Sequence, residues 1–245
     1  MILSKTETTT FDIFYNDIDT EIVEKIKVKI ETVYRKVQQD FLLPLNAEKY
    51  EFFLCPDVDS YIEYTNKSKE AYQDWMVGHA DYSKKRLCIL SPRVVRDRSW
   101  EDMMKVIVHE VVHMAMDSLA NPDEVELWIA EGIALLYADQ VNLDYISTGD
   151  FPKLNSLIGE DNFADNGGYD YAAIYVWYFI EKYGFDNFKK VYMGLEQVEK
   201  YLYSQFEEDA VRTFVKSRRY SLQHYSFHEA ANMESSVTAV EQEQS

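Results

Sequence analysis

Basic residues are scarce in this sequence: 25 Lys and Arg stand against 43 Asp and Glu, for a formal net charge of -18. A surface of that sign repels phosphate backbones and anionic lipid headgroups, which excludes nucleic acid and the membrane surface as partners. Long apolar runs are missing as well. No stretch approaches the roughly 20 apolar residues of a membrane span, and Met1 to Thr10 lacks the basic start and apolar run of a signal peptide. A cytoplasmic protein is expected. Cysteine is limited to Cys55 and Cys88, which fall on separate expected strands; this argues against a cysteine metal cluster and leaves two buried free thiols.

Histidine is also rare, with 5 in 245 residues, so its placement carries weight. Two of the five stand in Val106-Ile-Val-His-Glu-Val-Val-His-Met-Ala115. At 3.6 residues per helical turn, His109 and His113 lie within about 40° of each other and project to one side, where two imidazoles can hold one metal ion. Glu110 sits about 100° further round, close enough to reach a water on that metal but poorly placed as a ligand, so it reads as a general base. A His-Glu-x-x-His arises by accident in roughly one such chain in a hundred. The flanks decide the matter: Met103, Met104, Val106, Ile107, Val108, Val111, Val112 and Met114 make the helix apolar almost all round, and a histidine pair inside such a helix needs partners.

Glu131, 18 positions after His113 in Trp128-Ile-Ala-Glu-Gly-Ile-Ala134, supplies a third ligand. It lies beyond the break at Asn121-Pro122, where Pro122, Asp123 and Glu124 suit the first turn of a new helix, expected from about Pro122 to Gln140. Two antiparallel helices then face each other. Gly132 costs about 1 kcal/mol relative to alanine in mid-helix, which is explicable if its backbone must come close to the histidine helix. Two His and one Glu leave an open coordination position, the arrangement of a catalytic zinc, with one ion per chain.

His109-Glu-Val-Val-His113 followed by Trp128-x-x-Glu131-Gly132-x-Ala134 closely resembles the gluzincin metallopeptidases of the peptidase MA-like group, relatives of thermolysin and of the aminopeptidase N family. A metzincin is disfavoured, because no Gly-x-x-His follows His113. The resemblance implies a zincin-like α+β fold: a small mixed sheet with helices, the active-site helix, then a mainly helical C-terminal lobe, with the cleft between lobes. In such relatives a tyrosine at the start of the helix after the ligand helix donates to the oxyanion of the tetrahedral intermediate. Tyr169 matches by its spacing back from Gly184, with Tyr171 as the alternative.

The rest of the chain can be read in order. Phe11 to Tyr15 alternates as a strand; Thr20 to Gln39 is apolar at helical spacing with only Val28 off that face; Tyr50 to Leu54 is a second strand. Asp57 to Asn66 is a short helix, and Trp75 to Tyr82 and Arg86 to Leu90 are strands across Ser83-Lys84-Lys85. Ser99 with Asp102 opens the metal helix, expected over about Trp100 to Leu119. His79 is expected to face cleft or solvent rather than a metal, and His224 and His228 have no third ligand beside them. Asp117 and Asp139 read as helix-end acids. A short helix near Lys153 to Ile158, an apolar helix from Tyr169 ended by Gly184, and a helical pattern to about Arg219 complete the reading. The expected organisation is one metallopeptidase domain over 1–228, with a sheet lobe about 11–120 and a helical lobe about 121–228, then a disordered tail at 229–245.

The expected activity is zinc-dependent hydrolysis of peptide bonds in a peptide or protein substrate. Its rivals are a catalytically silent zinc protein that binds a partner, and a zinc hydrolase of a non-peptide amide. Nothing in the sequence sets an oligomeric state. Related aminopeptidases carry Gly-Ala-Met-Glu-Asn on the edge strand beside the site, and its glutamate binds the substrate's free amino terminus. Here the corresponding stretch reads Val77-Gly-His-Ala-Asp-Tyr82, and Asp81 is shorter and offset, which points to an endopeptidase.

Overall fold

The computed structural model describes residues 3–43, 48–117, 119, 125–141, 154–157, 163–202 and 210–215. The protein is α+β, and its chain divides into two units, 1–119 and 120–245.

The first unit contains strands β1 (Ser4–Glu7), β2 (Phe11–Tyr15), β3 (Tyr50–Cys55), β4 (Gly78–Asp81) and β5 (Arg86–Leu90), with helices α1 (Thr20–Phe41), α2 (Val58–Thr65) and α3 (Trp100–Met116). The sheet order is β1-β2-β3-β5-β4. β2, β3 and β5 run parallel, and β1 and β4 join antiparallel at the edges, so the sheet is mixed as expected. Parallel neighbours need crossovers, which α1 and α2 provide. β3 lies between two parallel partners and is accordingly buried at every position except Glu51.

α1 buries Val23, Ile26, Ile30, Val33, Tyr34, Val37 and Phe41, and leaves Val28 exposed, as its 3.6-residue period requires. Tyr34 meets Phe11 edge-on at 5.8 Å, fixing the helix against β2. The start of α1 is tied to the end of β5 by the fully buried Asp19, whose Oδ1 accepts from Ser91 Oγ at 2.9 Å and from Arg93 Nε at 3.3 Å. At α3 the expected start is present as a capping box. Asp102 N donates to Ser99 Oγ at 3.1 Å and Ser99 N donates to Asp102 Oδ2 at 3.2 Å, a device that contributes about 1 kcal/mol.

The second unit contains α4 (Leu127–Tyr137), α5 (Gly168–Tyr183) and α6 (Phe185–Tyr192). α4 is buried on nearly every side: Trp128, Ile129, Gly132, Ile133, Ala134, Leu135, Leu136 and Tyr137 are all inside. A Cβ built on Gly132 would lie 2.6 Å from the Ala172 carbonyl oxygen and 2.6 Å from Val176 Cγ2, so α4 and α5 touch backbone to backbone there. The close approach that Gly132 permits is therefore to α5, a correction to the expectation that it faces the histidine helix. Gly184, at φ 85°, ends α5 and admits α6 directly behind it.

Other expectations need adjusting. β1 escaped the sequence reading; its four residues at the edge, Ser4 to Glu7, are all polar and carry no apolar signal. The strand expected over Trp75 to Tyr82 shrinks to Gly78–Asp81, because Met76 N donates to Gln73 O at 2.9 Å and closes a turn just before it. α3 ends at Met116, α4 begins at Leu127, and the helix near Lys153 to Ile158 is a 3-10 turn, Leu154–Leu157. After α6 residues 193–202 make turns with a short 3-10 segment, Val198–Lys200, and residues 210–215 are helical; the rest of the helical pattern expected to about Arg219 lies outside the described residues. Pro122, His224, His228 and the tail at 229–245 lie outside the described residues. Among the described residues, no helix is long and apolar enough to cross a membrane.

Replacing Gly132 by Ala should destabilise the protein by about 1–3 kcal/mol through overpacking, against the roughly 1 kcal/mol that helix propensity alone would add. Urea titration reads this as a lower midpoint at unchanged slope. A neutral or stabilising Gly132→Ala would contradict the backbone contact.

Candidate metal centre

α3 carries His109, Glu110 and His113 in its second half, where Ile107, Val108, Val111, Val112, Met114 and Ala115 surround them with buried apolar side chains. The helical spacing does what the sequence leads one to expect. His109 Nε2 and His113 Nε2 point at each other across 2.9 Å, with ring centroids 4.6 Å apart and ring planes at 74°. Two ring nitrogens that close repel if both present lone pairs and collide if both carry protons. Either one donates to the other or a cation sits against both.

Glu131 is the only acid in α4, a helix otherwise built of apolar residues and tyrosine, and it is partly buried. A carboxylate in such surroundings is costly unless a cation or donors compensate it. One ligand-capable atom each of His109, His113 and Glu131 lie within 4.8 Å of one another, and among the described residues this is the one group of histidine, cysteine or acid residues so arranged. The donor set fits a divalent ion: two imidazoles and a carboxylate suit zinc, without the thiolates of a structural site.

His79 stands outside this group, on β4, where it pairs with Cys88 of β5. Burial, with Lys67 nearby, pulls its imidazole below the usual range, so it is neutral at physiological pH. Cys55 and Cys88 are both buried free thiols. The hydrogen bond with Cys88, together with burial, pushes the Cys55 thiol far up and leaves it chemically inert. Asp117 caps the C-terminus of α3, and Asp139 adopts a left-handed conformation at φ 54° just past α4; both are helix-end residues, as expected. Tyr169 lies in the first turn of α5, 47% exposed, its ring edge-on to Phe163 at 4.9 Å, whereas Tyr171 is buried.

Asp81 closes the turn after β4. Its Oδ1 accepts from Ser83 Oγ at 2.7 Å and Lys84 N at 3.2 Å, and its Oδ2 from Lys84 Nζ at 2.8 Å. Burial works against the charge, yet Lys84 and Ser83 hold the carboxyl down at about 2. This carboxylate is committed to the turn.

Gly78 adjoins Glu110, and Tyr61 in turn holds Gly78; the sequence reading gave neither a role. A Cβ built on Gly78 would lie 2.9 Å from Glu110 Oε1, and Tyr61 Oη donates to the Gly78 carbonyl at 2.8 Å. Burial first, then the Glu110 charge, push the Tyr61 phenol far above its usual range, so it remains a donor. A glycine inside a strand pattern is itself a signal of close approach.

No protein-family model matches the chain, and no curated protein matches it.

Protein purified without added metal should contain near-stoichiometric zinc by elemental analysis. His109→Ala, His113→Ala and Glu131→Ala should each lose most of it on dialysis, because an open site with two ligands holds the ion far more weakly than with three. Unchanged zinc in all three variants would overturn the ligand set.

Proposed function

We propose that this chain is a zinc metallopeptidase of the gluzincin type that cleaves internal peptide bonds. The observation that carries the reading is the convergence of His109, His113 and Glu131 within 4.8 Å, with Glu110 next to the first ligand in sequence on the same helix. A mixed sheet leading into the histidine helix, followed by helices, supports the zincin-like reading of the fold.

His109, His113 and the Glu131 carboxylate would hold the zinc, which would supply Lewis acidity toward a water and the scissile carbonyl. Glu110 accepts the proton of the attacking water and delivers it to the leaving amine, the work of a carboxylate one position along from the ligand face. A purely structural site has no need of a base there. Tyr169, half in solvent at the start of α5, is the candidate donor to a substrate oxyanion, with Tyr171 two residues on as the alternative.

An aminopeptidase must pair the substrate's ammonium with an acid, because an unpaired charge in the site is costly. Asp81 is the acid nearest the required place in sequence, and it is spent on Ser83 and Lys84. This supports internal cleavage. The test compares a peptide with a free amino terminus against its acetylated form, each with and without a zinc chelator. Cleavage of the acetylated peptide at an internal bond, abolished by the chelator, is expected. Stepwise removal of single residues, blocked by acetylation, would contradict the endopeptidase reading, and turnover indifferent to chelation would contradict the metallopeptidase reading.

A further inference from the structure

We propose that Gly78 and Tyr61 are positioning residues for Glu110: the strand seats the carboxylate on a Cα that has no side chain, and the tyrosine fixes the strand at that residue. The role of Glu110 as base rests on the function proposed above; the seating does not.

The missing side chain is the first observation. An added Cβ at Gly78 would meet Glu110 Oε1 and Val106 Cγ1 at 2.9 Å each and Glu110 Cγ at 3.0 Å, so the Glu110 and Val106 side chains would have to shift to admit it. Gly78 is not among the glycines with positive φ, so its backbone conformation is open to any residue. Space, not conformation, calls for glycine here. A glycine inside a strand costs stability through backbone entropy and absent packing, and the contact with Glu110 is what that cost secures.

The second observation is the anchor. Leu90 N donates to the Val77 carbonyl at 2.9 Å, which places Val77 opposite Leu90 and Gly78 opposite Ile89. In an antiparallel ladder the bonded and non-bonded pairs alternate, so the polar groups of Gly78 face away from β5. Its carbonyl would leave the ladder unbonded, and it is there that Tyr61, fully buried on α2, donates at 2.8 Å. A phenol at the end of a rigid, buried ring is a stiff strut. The edge strand is thus fixed at the one residue whose Cα faces the carboxylate.

A general base works only within about 2.6–3.2 Å of the proton it takes, and a misplacement of order 1 Å costs about 100-fold in rate. Gly78→Ala should therefore lower kcat on the order of 10- to 100-fold with KM little changed and zinc content equal to wild type. Tyr61→Phe, which keeps the packing and removes the strut, should lower kcat by a smaller factor in the same pattern. Glu110→Asp, one methylene shorter, should cost less kcat in the Gly78→Ala background than in the wild type.

A melting-temperature cycle needs no activity. Gly78→Ala should lower Tm markedly in the wild type and distinctly less when Glu110 is Ala, because two of the three obstructing atoms, Glu110 Oε1 and Cγ, are then gone. Strictly additive Tm changes would overturn the seating. Equal kcat losses for Glu110→Asp in both backgrounds would overturn the positioning role. A coupled Tm cycle in a protein that hydrolyses no peptide would instead refute the peptidase reading and leave the seating intact.

Discussion

The structure depends on placing three polar side chains where apolar ones would pack better. His109 and His113 sit in a helix whose neighbouring positions, Glu110 aside, are buried hydrocarbon, and Glu131 is the only acid of an apolar one. Each of these groups loses water on burial, a penalty of several kcal/mol for a charge, and only mutual compensation or a bound cation offsets it. Two imidazole nitrogens 2.9 Å apart with a carboxylate oxygen close by are the arrangement that a divalent ion resolves. Buried apolar helices supply rigid supports for such ligands, and rigidity is what a catalytic constellation needs.

The edge of the sheet answers a different requirement. β4 has only four residues, and it is held by three separate devices: its ladder with β5, the turn closed by Asp81, and Tyr61 at the Gly78 carbonyl. A short edge strand is otherwise a mobile element. Here it lies against Glu110, so its stiffness passes to the side chain that the proposed chemistry requires. The Asp81 that closes the turn is engaged there by Ser83 and Lys84.

Much of this was legible in the residues, and the parts that were not share a cause. α1 announces itself because seven buried residues recur at helical spacing over a long span, and α3 because a Ser-x-x-Asp start precedes an apolar run. The spacing of the candidate ligands His109 and His113 is local on α3, so two of the three positions need only helical geometry. Glu131 was reached through its Gly-x-Ala context rather than through periodicity. The start of α4 was set too early: Glu126 stands at its N-cap without a side-chain hydrogen bond, so no capping signal marks the boundary. β1 was missed because polar edge strands have no apolar signature. Gly78 and Gly132 carried the right hint, a glycine inside an element, but which neighbour each one admits is decided by tertiary packing, and for Gly132 that neighbour is α5.

Glu110→Gln tests the central claim most directly, with zinc content and peptide turnover measured on the same preparation. The amide keeps the shape of the side chain but cannot take a proton at neutral pH. The account predicts a protein that retains wild-type zinc and melts like the wild type yet hydrolyses no peptide above background. Turnover that survives the substitution would contradict it, because the proton would then be handled by a group other than Glu110.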